Sequence, residues 1–196
     1  MSKFNLLSIK NSRIGLLGGS FNPPHIGHIN ITLQAMRKFA LCKVIWLVTP
    51  CNPLKNSNLY ESLQTRVQRC IEITKPYSNK IVISDIEKSF RTFYSSNTIK
   101  EIHNTHSLAE IYWIIGCDNL LQMHKWYKWQ KIFDMAKVIV CERTHLALKS
   151  HNMKVTHNIE QQHLFHFSGL ANSHKRLYIL HCKRINISST KLRSML

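Results

Sequence analysis

Two imidazoles, a pair of adjacent glycines and a late run of hydroxyls are the groups of this 196-residue chain best placed to act together. His25 and His28 are three positions apart, so on a helix they share a face and both rings can donate toward one anion. Just before them Gly18-Gly19 lets the chain turn tightly and expose its amides. Pro23-Pro24 marks the turn, and a helix beginning near His25 aims its positive end at the same place. An anion is the expected guest. Four of the six glycines (Gly15, Gly18, Gly19 and Gly27) fall in residues 13–30, so backbone rather than side chain matters there, and Gly27 leaves room for a ligand or strand to approach. Far downstream, Ser188, Ser189 and Thr190, with Arg193 one turn later, make either a second anion-binding terminus or an ordinary N-cap.

Other chemistry-bearing residues lie between these ends, each with a plainer alternative. Lys55, in a loop after an apolar run, is placed to reach a phosphate or is a solvated loop lysine. Tyr94, Ser95 and Ser96 are positioned to contact a second substrate, and either serine can cap the helix that follows. Asp118, after a strand-ending glycine, either accepts from ribose hydroxyls or caps a helix from Asn119. Trp126, Tyr127 and Trp129 either stack on a planar ring or fill core. His103-x-x-His106 and His163-x-x-His166 have a spacing metals use, but no cysteine or carboxylate accompanies them, so neither is read as a ligand pair.

The elements that must hold these groups read as alternating strands and helices. Short apolar runs at 14–17, 43–49, 81–83, 111–115, 137–141 and 176–180 are buried-strand candidates. Strand, helix, strand implies parallel pairing, and ligands of such sheets sit beyond the carboxyl ends of the strands. The expected architecture is an α/β, Rossmann-like doubly wound parallel sheet forming one domain over residues 1–196. Asn58 and Glu61 read as a capping box for a helix to about Thr74, with Arg66 and Arg69 on its wetter side. Residues 144–175 are poorly periodic and read as loop and surface helix.

Composition narrows the partners. Lys and Arg number 27 against 10 acidic residues, a formal charge of +17 that favours polyanions. No basic run of five or more occurs, which favours phosphorylated small molecules over a nucleic-acid surface. No apolar run approaches the ~20 residues of a membrane span and no signal peptide is visible, so a soluble cytoplasmic protein is expected, with a homo-oligomer left open. Six scattered cysteines without a Cys-x-x-Cys pair read as buried thiols.

The segment Gly18-Gly19-Ser20-Phe21-Asn22-Pro23-Pro24-His25-Ile26-Gly27-His28 resembles the signature of the nucleotidyltransferase superfamily, whose His-x-Gly-His motif also marks class I aminoacyl-tRNA synthetases. Residues 187–193, Ile-Ser-Ser-Thr-Lys-Leu-Arg, are similar to its C-terminal Ser/Thr-rich motif. Pro50-x-Asn52-Pro53-x-Lys55, Tyr94-Ser95, Ile115-Gly116-x-Asp118, Trp126-Tyr127 and Val140-Cys141-x-Arg143 bring the likeness nearest to the bacterial nicotinate-mononucleotide adenylyltransferases, over residues 13–195. Leu54 and Ser95 stand where that family often has His and Thr.

The resemblance implies adenylyl transfer from ATP to nicotinate mononucleotide, giving nicotinate adenine dinucleotide (deamido-NAD) and pyrophosphate in NAD biosynthesis. It implies that His25, His28 and the Gly18, Gly19, Ser20 and Phe21 backbone hold ATP phosphates. Ser188, Ser189, Thr190 and Arg193 would take the β and γ groups, and Gly116 and Asp118 the adenosine side. Trp126 would stack on the pyridine ring, with Tyr94, Ser95 and Asn52 nearby. Mg²⁺ is expected to arrive with ATP, held by phosphates and water. Rival readings are an adenylyltransferase for nicotinamide mononucleotide or phosphopantetheine and, from another class, a basic RNA-binding protein.

Overall fold

The computed structural model describes residues 12–50, 60–106, 108–142, 165–166 and 176–182 and the single positions 187, 189 and 192. Strand β1 (Arg13–Gly19) is followed by helix α1 (Ile26–Phe39), β2 (Lys43–Val48), α2 (Leu63–Thr74), β3 (Ile81–Ser84), α3 (Glu87–Phe90) and α4 (Ser95–Thr105). Then come β4 (Glu110–Gly116), α5 (Cys117–Gln122), α6 (Gln130–Met135), β5 (Lys137–Glu142), β6 (Phe165–His166) and β7 (Leu177–His181). Among the described residues seven strands form one sheet, order β3-β2-β1-β4-β5-β7-β6, with every neighbouring pair parallel. The chain moves outward from β1 to β3, then returns to lay β4 against the free side of β1. The crevice beyond the carboxyl ends of β1 and β4 is therefore the switch point where such sheets bind ligands.

The strands are apolar at consecutive positions because alternate side chains feed two cores. Ile45, Leu47, Trp113 and Ile115 pack with Ile99 and Ile102 of α4, Leu120 of α5, and Ile132 and Phe133 of α6. Val44, Trp46, Tyr112 and Ile114 face the other way, onto Ile29, Ala35 and Phe39 of α1 and Cys70 of α2. Helices thus cover both faces, as the doubly wound expectation requires. At the amino ends of the strands Glu110 accepts from Arg13 Nε at 3.0 Å and from the Tyr112 hydroxyl at 3.1 Å, and is paired with Lys137. Burial alone would raise its pKa; the Lys137 ammonium, the Tyr112 hydroxyl and Arg13 outweigh it and hold the carboxyl low.

Several local expectations are corrected. β1 continues through Gly18 and Gly19, which pair with Leu47 and Val48, so the glycines end the strand and the turn follows them. The N-cap of α2 is Ser62, whose hydroxyl accepts from Thr65 N at 3.1 Å; Asn58 lies outside the described residues. Neither Ser95 nor Ser96 caps α4: Tyr94 is the N-cap residue, and Ser96 Oγ instead donates to Tyr127 O at 2.8 Å. Asp118 does not cap a helix from Asn119, since α5 starts at Cys117 and Asp118 lies in its first turn. Within 144–175 the described pair Phe165 and His166 forms an edge strand beside β7, where loop or helix was expected. Cys70, Cys117, Cys141 and Cys182 are buried thiols, but Cys42 is exposed, and Cys51 lies outside the described residues.

Candidate active site

The turn after β1 carries its strain on an aromatic residue. Phe21 has φ 46°, a left-handed conformation, and the Asn22–Pro23 peptide is cis. A non-glycine residue in that region costs about 1–2 kcal/mol. Here burial of the ring offsets it: Phe21 stacks on Trp46 with centroids 4.9 Å apart and planes 10° from parallel. The same ring lies 5.0 Å from that of His28. Trp46 Nε1 donates to Thr32 Oγ1 at 2.9 Å, and Thr32 Oγ1 donates to His28 O at 2.8 Å, so β2 fixes the first turn of α1. Gly18 is needed for closeness, because a methyl group there would meet the Trp113 indole at 2.6 Å.

The two histidines form a reciprocal cap. His25 is not on the helix face but is the N-cap residue of α1, in an extended conformation. Its Nδ1 accepts from Gly27 N at 3.1 Å, while His25 N donates to His28 Nδ1 at 3.1 Å. This is a capping box in which imidazoles replace the usual hydroxyl and carboxamide. Both Nδ1 atoms are acceptors, so each ring carries its proton on Nε2. The rings sit 3.9 Å apart at the positive end of a 14-residue helix. Gly27 serves this cap as well as any ligand: a methyl group there would lie 2.8 Å from His25 Nδ1.

The distant hydroxyl motif arrives at the same turn. Ser189 Oγ donates to Pro23 O at 2.8 Å, across 166 positions of sequence. Ile187 also reaches it, with Cγ2 3.4 Å from where a Gly27 methyl would be. The two segments expected from sequence to bind anions thus meet at one turn. Ser188, Thr190 and Arg193 fall outside the described residues, as do Asn52 and Lys55.

Around the crevice the remaining expected residues divide. Gly116 ends β4 opposite Cys141, and Asp118, two residues on in the first turn of α5, is exposed. Tyr94 is exposed, with its ring 4.7 Å from that of Tyr127, over which Lys128 Nζ sits at 5.0 Å. Ser95, half-buried, is the first residue of α4. Trp126 is half-buried against the core that contains Trp113, and Trp129 is buried in it. Among the described residues no group of three or more His, Cys, Asp or Glu side chains could hold a metal. The donors gathered at the turn are N–H and O–H groups, which suit phosphate oxygens.

Sequence reasoning missed the residue that joins these parts. Arg66, expected on the wet side of α2, is 1% exposed. Its Nη1 donates to Ser20 O at 2.7 Å and Thr49 O at 2.8 Å, Nη2 to Pro50 O at 3.2 Å, and Nε to Glu61 O at 3.0 Å. A signal was present, since Leu63, Arg66, Val67 and Cys70 share one helical face. Arg69 does sit outward, paired with Glu61 at 2.8 Å. Thr49 N in turn donates to Gly19 O at 3.0 Å, and its side chain hydrogen-bonds Glu87, whose Oε1 accepts from Thr98 Oγ1 at 3.0 Å. Burial pushes the Glu87 carboxyl up, against the pull of those two hydroxyls.

Residues 16–195 match a family model described as cytidylyltransferase-like. A probable nicotinate-nucleotide adenylyltransferase of Pelagibacter ubique is 34% identical over 193 residues, 97% of each chain. One from Bradyrhizobium sp. (strain ORS 278) is 39% identical over 140 residues, 71% of this chain and 72% of the relative. Among solved structures, Plasmodium falciparum nicotinic acid mononucleotide adenylyltransferase complexed with APC superposes with a TM-score of 0.69 at 18% identity, covering 94% of this chain and 84% of that one. The same enzyme complexed with NaAD gives 0.69 at 17% identity, covering 93% and 83%. These structures share the fold.

Proposed function

Since the chain belongs to the cytidylyltransferase-like family, we propose that it transfers the adenylyl group of ATP to nicotinate mononucleotide, giving nicotinate adenine dinucleotide and pyrophosphate. The curated relatives bearing that activity's name, one over nearly the whole chain, support the reading. The observation that carries it structurally is the Ser189–Pro23 hydrogen bond, which brings the hydroxyl motif onto the histidine-capped turn. One polyphosphate then meets two sets of donors.

In the reaction an oxygen of the mononucleotide phosphate bonds to the α-phosphorus of ATP as the bond from that phosphorus to the bridging oxygen breaks, and pyrophosphate leaves with the electron pair. The nucleophile is already an anion, so no general base is needed, and the site acts by positioning and by stabilising charge. The His25 and His28 Nε2–H groups and the positive end of α1 face the developing charge on the phosphate oxygens. Ser188, Thr190 and Arg193 take the leaving pyrophosphate, together with the Ser189 backbone, since its hydroxyl donates to Pro23 O. Gly116 and Asp118 take the adenosine, and Tyr94, Ser95, Trp126, Asn52 and Lys55 take the mononucleotide. Mg²⁺ enters as part of the ATP substrate.

The test is pyrophosphate release from purified protein given ATP, Mg²⁺ and one mononucleotide at a time. Turnover should be greatest with nicotinate mononucleotide. Equal or greater turnover with nicotinamide mononucleotide would overturn the substrate assignment, and no turnover with either, alongside salt-sensitive tRNA binding, would favour an RNA-binding protein.

A further inference from the structure

Arg66 bonds four carbonyl oxygens that belong to three separate pieces of the site. Ser20 lies in the turn assigned to the ATP phosphates. Thr49 and Pro50 follow β2 in the chain and precede Asn52 and Lys55. Glu61, at the entry to α2, also donates its N–H to Asn22 Oδ1 at 3.4 Å. A guanidinium is a rigid planar fork, so segments bonded to its different nitrogens cannot shift independently without breaking a charge-assisted bond.

The bond to Ser20 O has a further effect. A trans peptide holds its C=O and the following N–H on opposite sides of the chain. Drawing Ser20 O toward the guanidinium therefore turns the Phe21 N–H away from it, and the buried Phe21 ring on Trp46 locks that plane. We propose that Arg66 is a positioning residue for the transfer reaction: it orients the Phe21 amide as a phosphate donor and sets the spacing between the ATP turn and Thr49-Pro50. This rests on the reaction proposed above.

A structural residue would alter stability alone, whereas a positioning residue alters the chemistry of the folded enzyme. Arg66→Lys keeps the charge but replaces the fork with a single nitrogen. It should keep its fold by circular dichroism and lose about ten- to a hundredfold in kcat, the scale of small misplacements of reacting groups. Phe39→Leu, at the far end of α1 where the ring packs on Tyr112 and Tyr178, should lower Tm while kcat stays within twofold of wild type. Independently of any variant, ATP should slow hydrogen exchange of the Phe21 amide in the wild-type protein. An active wild type with Arg66→Lys kcat within twofold of it, or with Phe21 exchange unchanged by ATP, overturns the role of Arg66. A wild type inactive with both mononucleotides overturns the reaction instead.

Discussion

At the scale of single residues, the histidines show how one side chain serves helix and chemistry together. Each Nδ1 is spent on a backbone amide, which fixes the tautomer with the proton on Nε2. His28→Ala should lower kcat by about two orders of magnitude, the cost of losing a charge-stabilising donor. It should also cost about 1 kcal/mol of stability through the broken cap. Pyrophosphate release and thermal unfolding measured on the same preparation separate the two effects, and near-wild-type kcat would remove His28 from the mechanism. The spacing of His25 and His28 was legible in sequence, but the cap was not, because imidazole is not among the residues expected to start a helix. Phe21 was illegible for a similar reason. Its left-handed backbone is tolerated only because Trp46, from another strand, holds the ring.

At the scale of elements, the strands were readable because burial on both faces makes each a short continuous apolar run. The starts of α2 and α4 were misread, because hydroxyls that look like caps can find other partners, as Ser96 does on Tyr127 O. Arg66 was misplaced because its acceptors Ser20 and Thr49 lie 46 and 17 positions away. The short helix α3 is tied down by Glu87, buried against Thr49 and Thr98. With its folded pKa raised above 4.5, Glu87 binds its proton more tightly folded than unfolded. The stability this contributes is fully present below about pH 4.5 and is lost as pH rises through the folded value. Glu87→Gln is neutral at every pH, so its Tm relative to wild type should be flat in acid, climb above about pH 4.5 and level off once the folded value is passed. A gap that stays constant over that range would mean Glu87 titrates normally.

At the scale of the whole molecule, a formal charge of +17 surrounds a reaction whose substrates are anions. Attraction over such distances is screened by salt. The kcat/KM for ATP should therefore fall several-fold between about 0.01 and 0.3 M ionic strength while kcat barely moves, and a flat kcat/KM would show that the charge does not steer substrate. Sequence revealed both segments and, through the family resemblance, that they should serve one ATP, but not the contact between them, since nothing local records a bond across 166 positions. That contact, Ser189 on Pro23, also orders events in time. Pairing of β1 with β2 needs only the first fifty residues, yet closing the turn requires the chain through Ser189. Each doubling of such a loop adds only about 0.6 kcal/mol of closure cost, so the contact is set by when its residues exist more than by the entropy of closing it. A chain growing from the ribosome can thus pair its first two strands before it has made the residue that closes the turn beside them.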